Sequence, residues 1–233
     1  MWNDLIQGLM LDKETMMMLV ENTGITLYMT LLSTAMAYVI GLPMGIALVV
    51  TAPGGLCPDG VVKRTSFKIL DVVVNTVRSV PFLILLILVI PLTRAIVGKS
   101  YGPTATIVPL TIAAAPFIAR LVESSLLEVD KGVIEAAQSM GASIWTIIFK
   151  VLLAEARTSL IVGATISLGT ILGYSAMAGV VGGGGLGDIA IRYGYYRYES
   201  RIMWLTVILL VLLVQILQVV GTKLSRKLDK RSR

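Results

Sequence analysis

The chain has 233 residues, of which 56% are apolar and only 15% charged, and its mean hydropathy is +0.85. Stretches this long without charge do not occur in soluble domains, so the chain reads as an integral membrane protein of one domain. Histidine is absent and Cys57 is the single cysteine, which excludes an intramolecular disulfide and argues against metal or hydrolytic chemistry; the net charge of +6 owes much to a cluster of six basic residues at Lys223–Arg233.

Residues 1–22 lack the basic start and small-residue cleavage site of a signal peptide and read as a retained segment. Their Leu and Met residues suit a short helix on the membrane surface, with an early start to the first span as the alternative. The transmembrane domain is expected over residues 23–222. An α-helix crosses the hydrocarbon with about 20 apolar residues, because each rises about 1.5 Å through a core about 30 Å thick. Five stretches qualify: Gly24–Val50, Ile69–Val97, Thr104–Leu121, Ser159–Val181 and Ile202–Gly221. Pro43, Pro81, Pro91, Pro109 and Pro116 fall inside them, as in kinked helices bundled around a cavity. In the fourth, Gly169 and Gly173 form a small-xxx-small pair that lets helix backbones approach, on a face that is either a packing seam or a pathway wall.

Lys and Arg set the direction, since cytoplasmic loops hold their excess. With the N-terminus outside, thirteen basic residues lie in inner segments and six in outer ones, while Arg78 remains within the second span. The chain is therefore expected N-out and C-in, and residues 223–233 form a basic cytosolic tail that flanks membrane lipid and does not bind nucleic acid.

Span centres contain no Asp, Glu or His, the groups by which gradient-driven carriers couple to ions. An ATP site is also missing. Gly98-Lys99-Ser100 resembles the end of a phosphate loop, but Thr93 stands where that motif needs glycine. The glycine run Gly182–Asp188 follows a span instead of opening a strand-turn-helix unit, and reads as a flexible outer turn. The chain is thus expected to bind no cofactor and to be no enzyme.

The inner loop from Val122 to Ala156 is too long for a simple turn. Asp130 can cap a helix within it and Gly141 can end that helix. Ala136, Ala137 and Ser139 allow close approach to another surface, with Met140, Ile144 and Trp145 for apolar contact. An idle helix on the bilayer is the alternative.

The segment Glu135-Ala136-Ala137-Gln138-Ser139-Met140-Gly141, followed nine residues later by Val151-Leu152-Leu153, resembles the EAA loop of ABC importer permeases. Val151 replaces that family's Ile and Ala154 its Pro. The stretches Arg78–Phe82, Val108–Arg120, Gly173–Asp188 and Arg192–Tyr198 are similar to the permease subunits of bacterial methionine importers, and the likeness extends over about Leu27–Gln218. The resemblance implies an all-α, five-span type I importer permease in the bacterial inner membrane. It implies a homodimer with two cytosolic ABC ATPase subunits that bind ATP and Mg, fed by a methionine-binding lipoprotein at the periplasmic face. Transport of methionine, L- and D-, by alternating access would follow. Glu135, Ala136, Ala137, Met140 and Gly141 would couple to the ATPase, and Met177 would form part of a gate, with core filler as the alternative; Tyr174 and Ser175 are expected to line the pathway without an assigned substrate contact. Another small amino acid, a gradient-driven carrier and a scaffold without substrate are the rival readings.

Overall fold

In the computed structural model, which describes residues 12–58 and 60–228, the described residues form helices joined by short turns. The first helix, α1 (Lys13–Thr51), runs 39 residues without a break. The separate surface helix expected over residues 1–22 is therefore corrected from Lys13 onward; residues 1–11 lie outside the described residues. Nothing from Lys13 to Thr23 breaks a helix, so the rod that crosses the bilayer starts early.

The stretch expected as one span over Ile69–Val97 is three helices: α2 (Val61–Ser79), α3 (Phe82–Leu88) and α4 (Ile90–Val97). The first two meet at 106°. Val80, held extended by the ring of Pro81, makes the elbow. Pro91 sits in the first turn of α4, where its missing N–H costs nothing, and Gly98 closes that helix in the left-handed region at φ +80°.

The third span is α5 (Pro103–Leu127), which absorbs Pro109 and Pro116 and is the most enclosed of the helices long enough to cross a membrane. After a short α6 (Lys131–Ser139), a helical run over residues 144–155 with a π-helical middle at Ile147–Leu152 leads into α7 (Arg157–Ala178). A 3₁₀ turn at Gly179–Val181, the short α8 (Gly185–Ile189) and a second π stretch at Ala190–Tyr195 precede α9 (Ser200–Leu228). The tail expected to begin at Lys223 is thus helical through Leu228; the rest of it lies outside the described residues. Four of these helices are long and apolar enough to cross a membrane, five if the bent pair α2–α3 counts as one span.

Small residues decide how the rods pack. On α1, a Cβ at Gly41 would stand 2.6 Å from the carbonyl oxygen of Ala115, and one at Gly45 would stand 2.6 Å from that of Ala119. The offset is the same at both contacts, so α1 and α5 run parallel, as spans one and three of an alternating bundle must. Gly221 of α9 lies against Thr165 of α7, and Ser225 Oγ reaches the Thr158 carbonyl at 3.4 Å, so these two run antiparallel. Gly169 and Gly173 do not form the expected seam within the chain: the nearest atom to a Cβ at Gly169 is Gln218 Nε2 at 3.9 Å, and a Cβ at Gly173 meets nothing within 4 Å. The close approaches fall where glycine spacing on one helix meets a small-residue face on its neighbour.

Candidate functional site

Two regions at opposite ends of the bundle, and one face between them, carry the expected functional residues. The first is α6. Asp130 caps it, its Oδ1 accepting from the Gly132 N–H at 2.6 Å, and Gly141 terminates it at φ +77°. The Gly141 N–H donates to the Gln138 carbonyl and the Ala142 N–H to that of Ala137, which closes the C-terminal turn. Both ends of this element therefore lie where the residues predict.

The helix has two different faces. Ala137 is 6% exposed and packs into the main apolar core beside Ile147 and Ile148, so it is corrected from a docking residue to the anchor that holds α6 to its own subunit. Glu135 and Ala136 point outward, and Met140 is 81% exposed. Beyond the turn, Trp145 and Phe149 stack at 6.0 Å and are also exposed, which enlarges the apolar patch. Phe149 escaped the sequence reading, although its position one helical turn beyond Trp145 was a usable signal. Next to this region a cleft of about 460 Å³, lined by Ser125, Glu128, Glu155, Arg157 and Ser159 among others, opens between the end of α5 and the start of α7. Because Asp130 satisfies a donor of the first turn, Asp130→Ala should weaken α6 by about 1 kcal/mol. Amide hydrogen exchange across Lys131–Ser139 should then accelerate about fivefold, with no change in the core helices.

The second region is the glycine run, which is not the flexible turn expected from its composition. Gly183, Gly185, Leu186, Gly187 and Asp188 are buried. The Leu186 N–H donates to Thr26 Oγ1 of α1 at 2.9 Å, and the Gly102 N–H donates to the Gly182 carbonyl at 3.0 Å. Positive φ at Gly182, Gly184 and Gly185 folds the chain back so that α8 drops between α1 and α7. Asp188 forms an ion pair with Arg192 on the next turn. Since Gly102 immediately precedes α5 and Thr26 lies in the first half of α1, and the ends of both helices lie towards α6, this plug occupies the opposite end of the bundle.

Between the two ends, α7 exposes a stripe that includes Val162, Ile166, Gly173 and Met177 and is continued by Val180 of the 3₁₀ turn. Met177 is 51% exposed there. Tyr174 is half-buried and stacks on Phe82 of α3 at 4.6 Å with ring planes 4° apart, which seats the elbow of α2–α3 against α7. Ser175, expected on the pathway, is 1% exposed, and its hydroxyl donates to the Leu172 carbonyl of its own helix at 2.7 Å. It is corrected to a buried residue whose polarity is spent locally. Near the α6 end, Arg120 of α5 is held by Asp71 and by Asn75 Oδ1 at 2.8 Å, both on α2, and by Glu123 Oε2 at 2.6 Å. The group joins α2 to α5. Among the described residues no group of His, Cys, Asp and Glu has metal-ligand geometry.

Residues 60–233 match the family of binding-protein-dependent transport system inner membrane components. The chain is 51% identical over 214 residues to the "Probable D-methionine transport system permease protein MetI" of Vibrio cholerae, covering 92% of this chain and 93% of that protein. It is 49% identical over 169 residues to the D-methionine transport system permease protein MetI of Escherichia coli K12, covering 72% and 76%. Its fold superposes with a TM-score of 0.91 and 46% identity on a chain of the MetNI methionine ABC transporter in an inward-facing conformation, covering 94% of this chain and all of that one. An amino acid ABC transporter at 21% identity and TM-score 0.66 shares the fold.

Proposed function

The chain belongs to the family of binding-protein-dependent transport system inner membrane components, and from that membership we propose that it is the permease subunit of an ATP-driven methionine importer. The observation that carries the reading is its likeness to a methionine ABC transporter chain along nearly the whole length of both. The helix α6 supports it: a capped element anchored by Ala137 and offering Glu135, Ala136, Met140 and Gly141 outward has the form a motor subunit can push.

In this reading two copies of the chain enclose one path across a two-fold axis, since so few spans from one chain hardly surround an amino acid. Each copy lends α6 to a cytosolic ATPase, where ATP and Mg bind. Closure of the ATPases tilts the helices between inward and outward openings. Met177 serves as a seal: a soft unbranched thioether can close on its symmetry mate and repack on opening. Tyr174 sets the position of α3 beside that seal through its stack on Phe82. The plug at Gly182–Asp188 faces a periplasmic methionine-binding lipoprotein, and the α6 end faces the cytosol, in agreement with the excess of Lys and Arg there. The membrane is then the bacterial inner membrane.

The test is uptake of radiolabelled methionine by a strain lacking its own importer, supplied with this chain, its ATPase and its binding protein. Accumulation that requires ATP and all three proteins is expected. A chain that is well expressed and gives no accumulation belongs to another substrate, and uptake that persists without the ATPase belongs to a gradient-driven carrier.

A further inference from the structure

Arg78 occupies the last turn of α2, next to the 106° elbow, and it is exposed. Among the described residues its guanidinium makes no hydrogen bond, ion pair or ring contact. Arg64 and Lys68, nearer the start of α2, are exposed and unpaired as well, whereas two other cations of this region are held in place. Arg120 is held by Asp71, Asn75 and Glu123, while Lys63 Nζ donates to the carbonyls of Gly55 and Cys57.

Two independent helices fix the depth of Arg78. Asp71 pairs with Arg120, which lies seven residues before the end of α5, or about 10 Å from that end at 1.5 Å per residue. Arg78 lies seven residues further along α2, about another 10 Å towards the glycine plug. Phe82, four residues beyond it, stacks on Tyr174, which is seventeen residues and about 25 Å from the start of α7. Both routes put the guanidinium about 20 Å from the α6 end of the bundle, inside a hydrocarbon layer about 30 Å thick and towards its outer half. The elbow is seated beside Tyr174, one turn from Met177 on the open stripe of α7.

A guanidinium at this depth that faced lipid would be costly, and broken helices are tolerated there where they line a water-filled path. Its fork of donors matches a carboxylate in two parallel hydrogen bonds. We propose that Arg78 receives the α-carboxylate of the amino acid as it crosses the bent span. The inference rests on the reading of the chain as an amino-acid permease and adds to it a substrate-contacting residue.

The experiment uses the full complex with its ATPase and binding protein in proteoliposomes and reads methionine moved per ATP hydrolysed. Arg78→Gln should lower that ratio about tenfold or more, the loss expected for a hydrogen bond to a charged group, and Arg78→Lys should restore part of it. A second measurement stands apart from turnover. In a chain carrying Cys57→Ser and Arg78→Cys, the introduced thiol should react with a charged, water-soluble thiosulfonate, and free methionine should slow the reaction more than methioninamide does. A wild-type ratio in Arg78→Gln overturns the proposal, as does a thiol inert in both nucleotide-free and nucleotide-trapped complexes, which would place the side chain in lipid or against a second copy. If the wild-type complex moves no methionine, the functional reading falls instead, and the same protection assay with other amino acids and their amides still judges Arg78.

Discussion

Replacing Gly187 with leucine should abolish the folded protein. A Cβ at this position would stand 2.2 Å from the carbonyl oxygen and 2.5 Å from the Cα of Ala176, and one at Gly179 would stand 2.3 Å from the backbone nitrogen of Asp188. Helices α7 and α8 thus cross backbone against backbone, and neither partner is a side chain that could rotate away. Overpacking a core with a yielding neighbour costs about 1–3 kcal/mol; here the crossing itself must open, and the Leu186 bond to Thr26 moves with it. Gly187→Ala should already lower the melting temperature in detergent by several degrees, and Gly187→Leu should give no monodisperse peak on size-exclusion chromatography. Gly24→Ala is the control, because a Cβ there meets nothing within 4 Å and alanine favours the helix by about 1 kcal/mol. A Gly187→Leu chain as stable as wild type would mean that the plug is not seated between α1 and α7.

The second large effect separates two neighbouring alanines. Ala136→Trp should leave the melting temperature of the isolated chain unchanged while abolishing methionine uptake and stimulation of the partner ATPase, since the indole projects from the outer face of α6 into the surface proposed to dock. Ala137→Trp should do the reverse first: it forces a large ring into the packing around Ile147 and Ile148 and should reduce folded yield before any coupling is measured. The pair distinguishes a docking helix from an idle one. Uptake by Ala136→Trp at the wild-type rate would remove α6 from the path of force.

Much of this architecture was legible in the residues because its signals are local. Lack of charge over 20-residue windows locates the spans, and the cap at Asp130 with the stop at Gly141 frames α6 to the residue, since both act within one turn. The prolines were visible too, yet their consequences differ: Pro81 breaks a span through 106°, while Pro43, Pro109 and Pro116 pass inside continuous helices. The residue type is the same in all four, so the proline alone does not decide between a sharp elbow and a continuous helix.

By itself, then, the sequence determined the class of protein, most of its long apolar helices and the position of α6, because hydrophobicity and capping are properties of contiguous residues. Tertiary structure alone decided which of two adjacent alanines faces out, that Ser175 is buried, and that the helix seam runs through Gly41 and Gly45 instead of Gly169 and Gly173. It also turned the glycine run from a loop into a plug, through a hydrogen bond between residues 160 positions apart. A glycine is flexible where nothing lies beside it and rigid where another backbone does, and that difference is set by packing between segments distant in the chain.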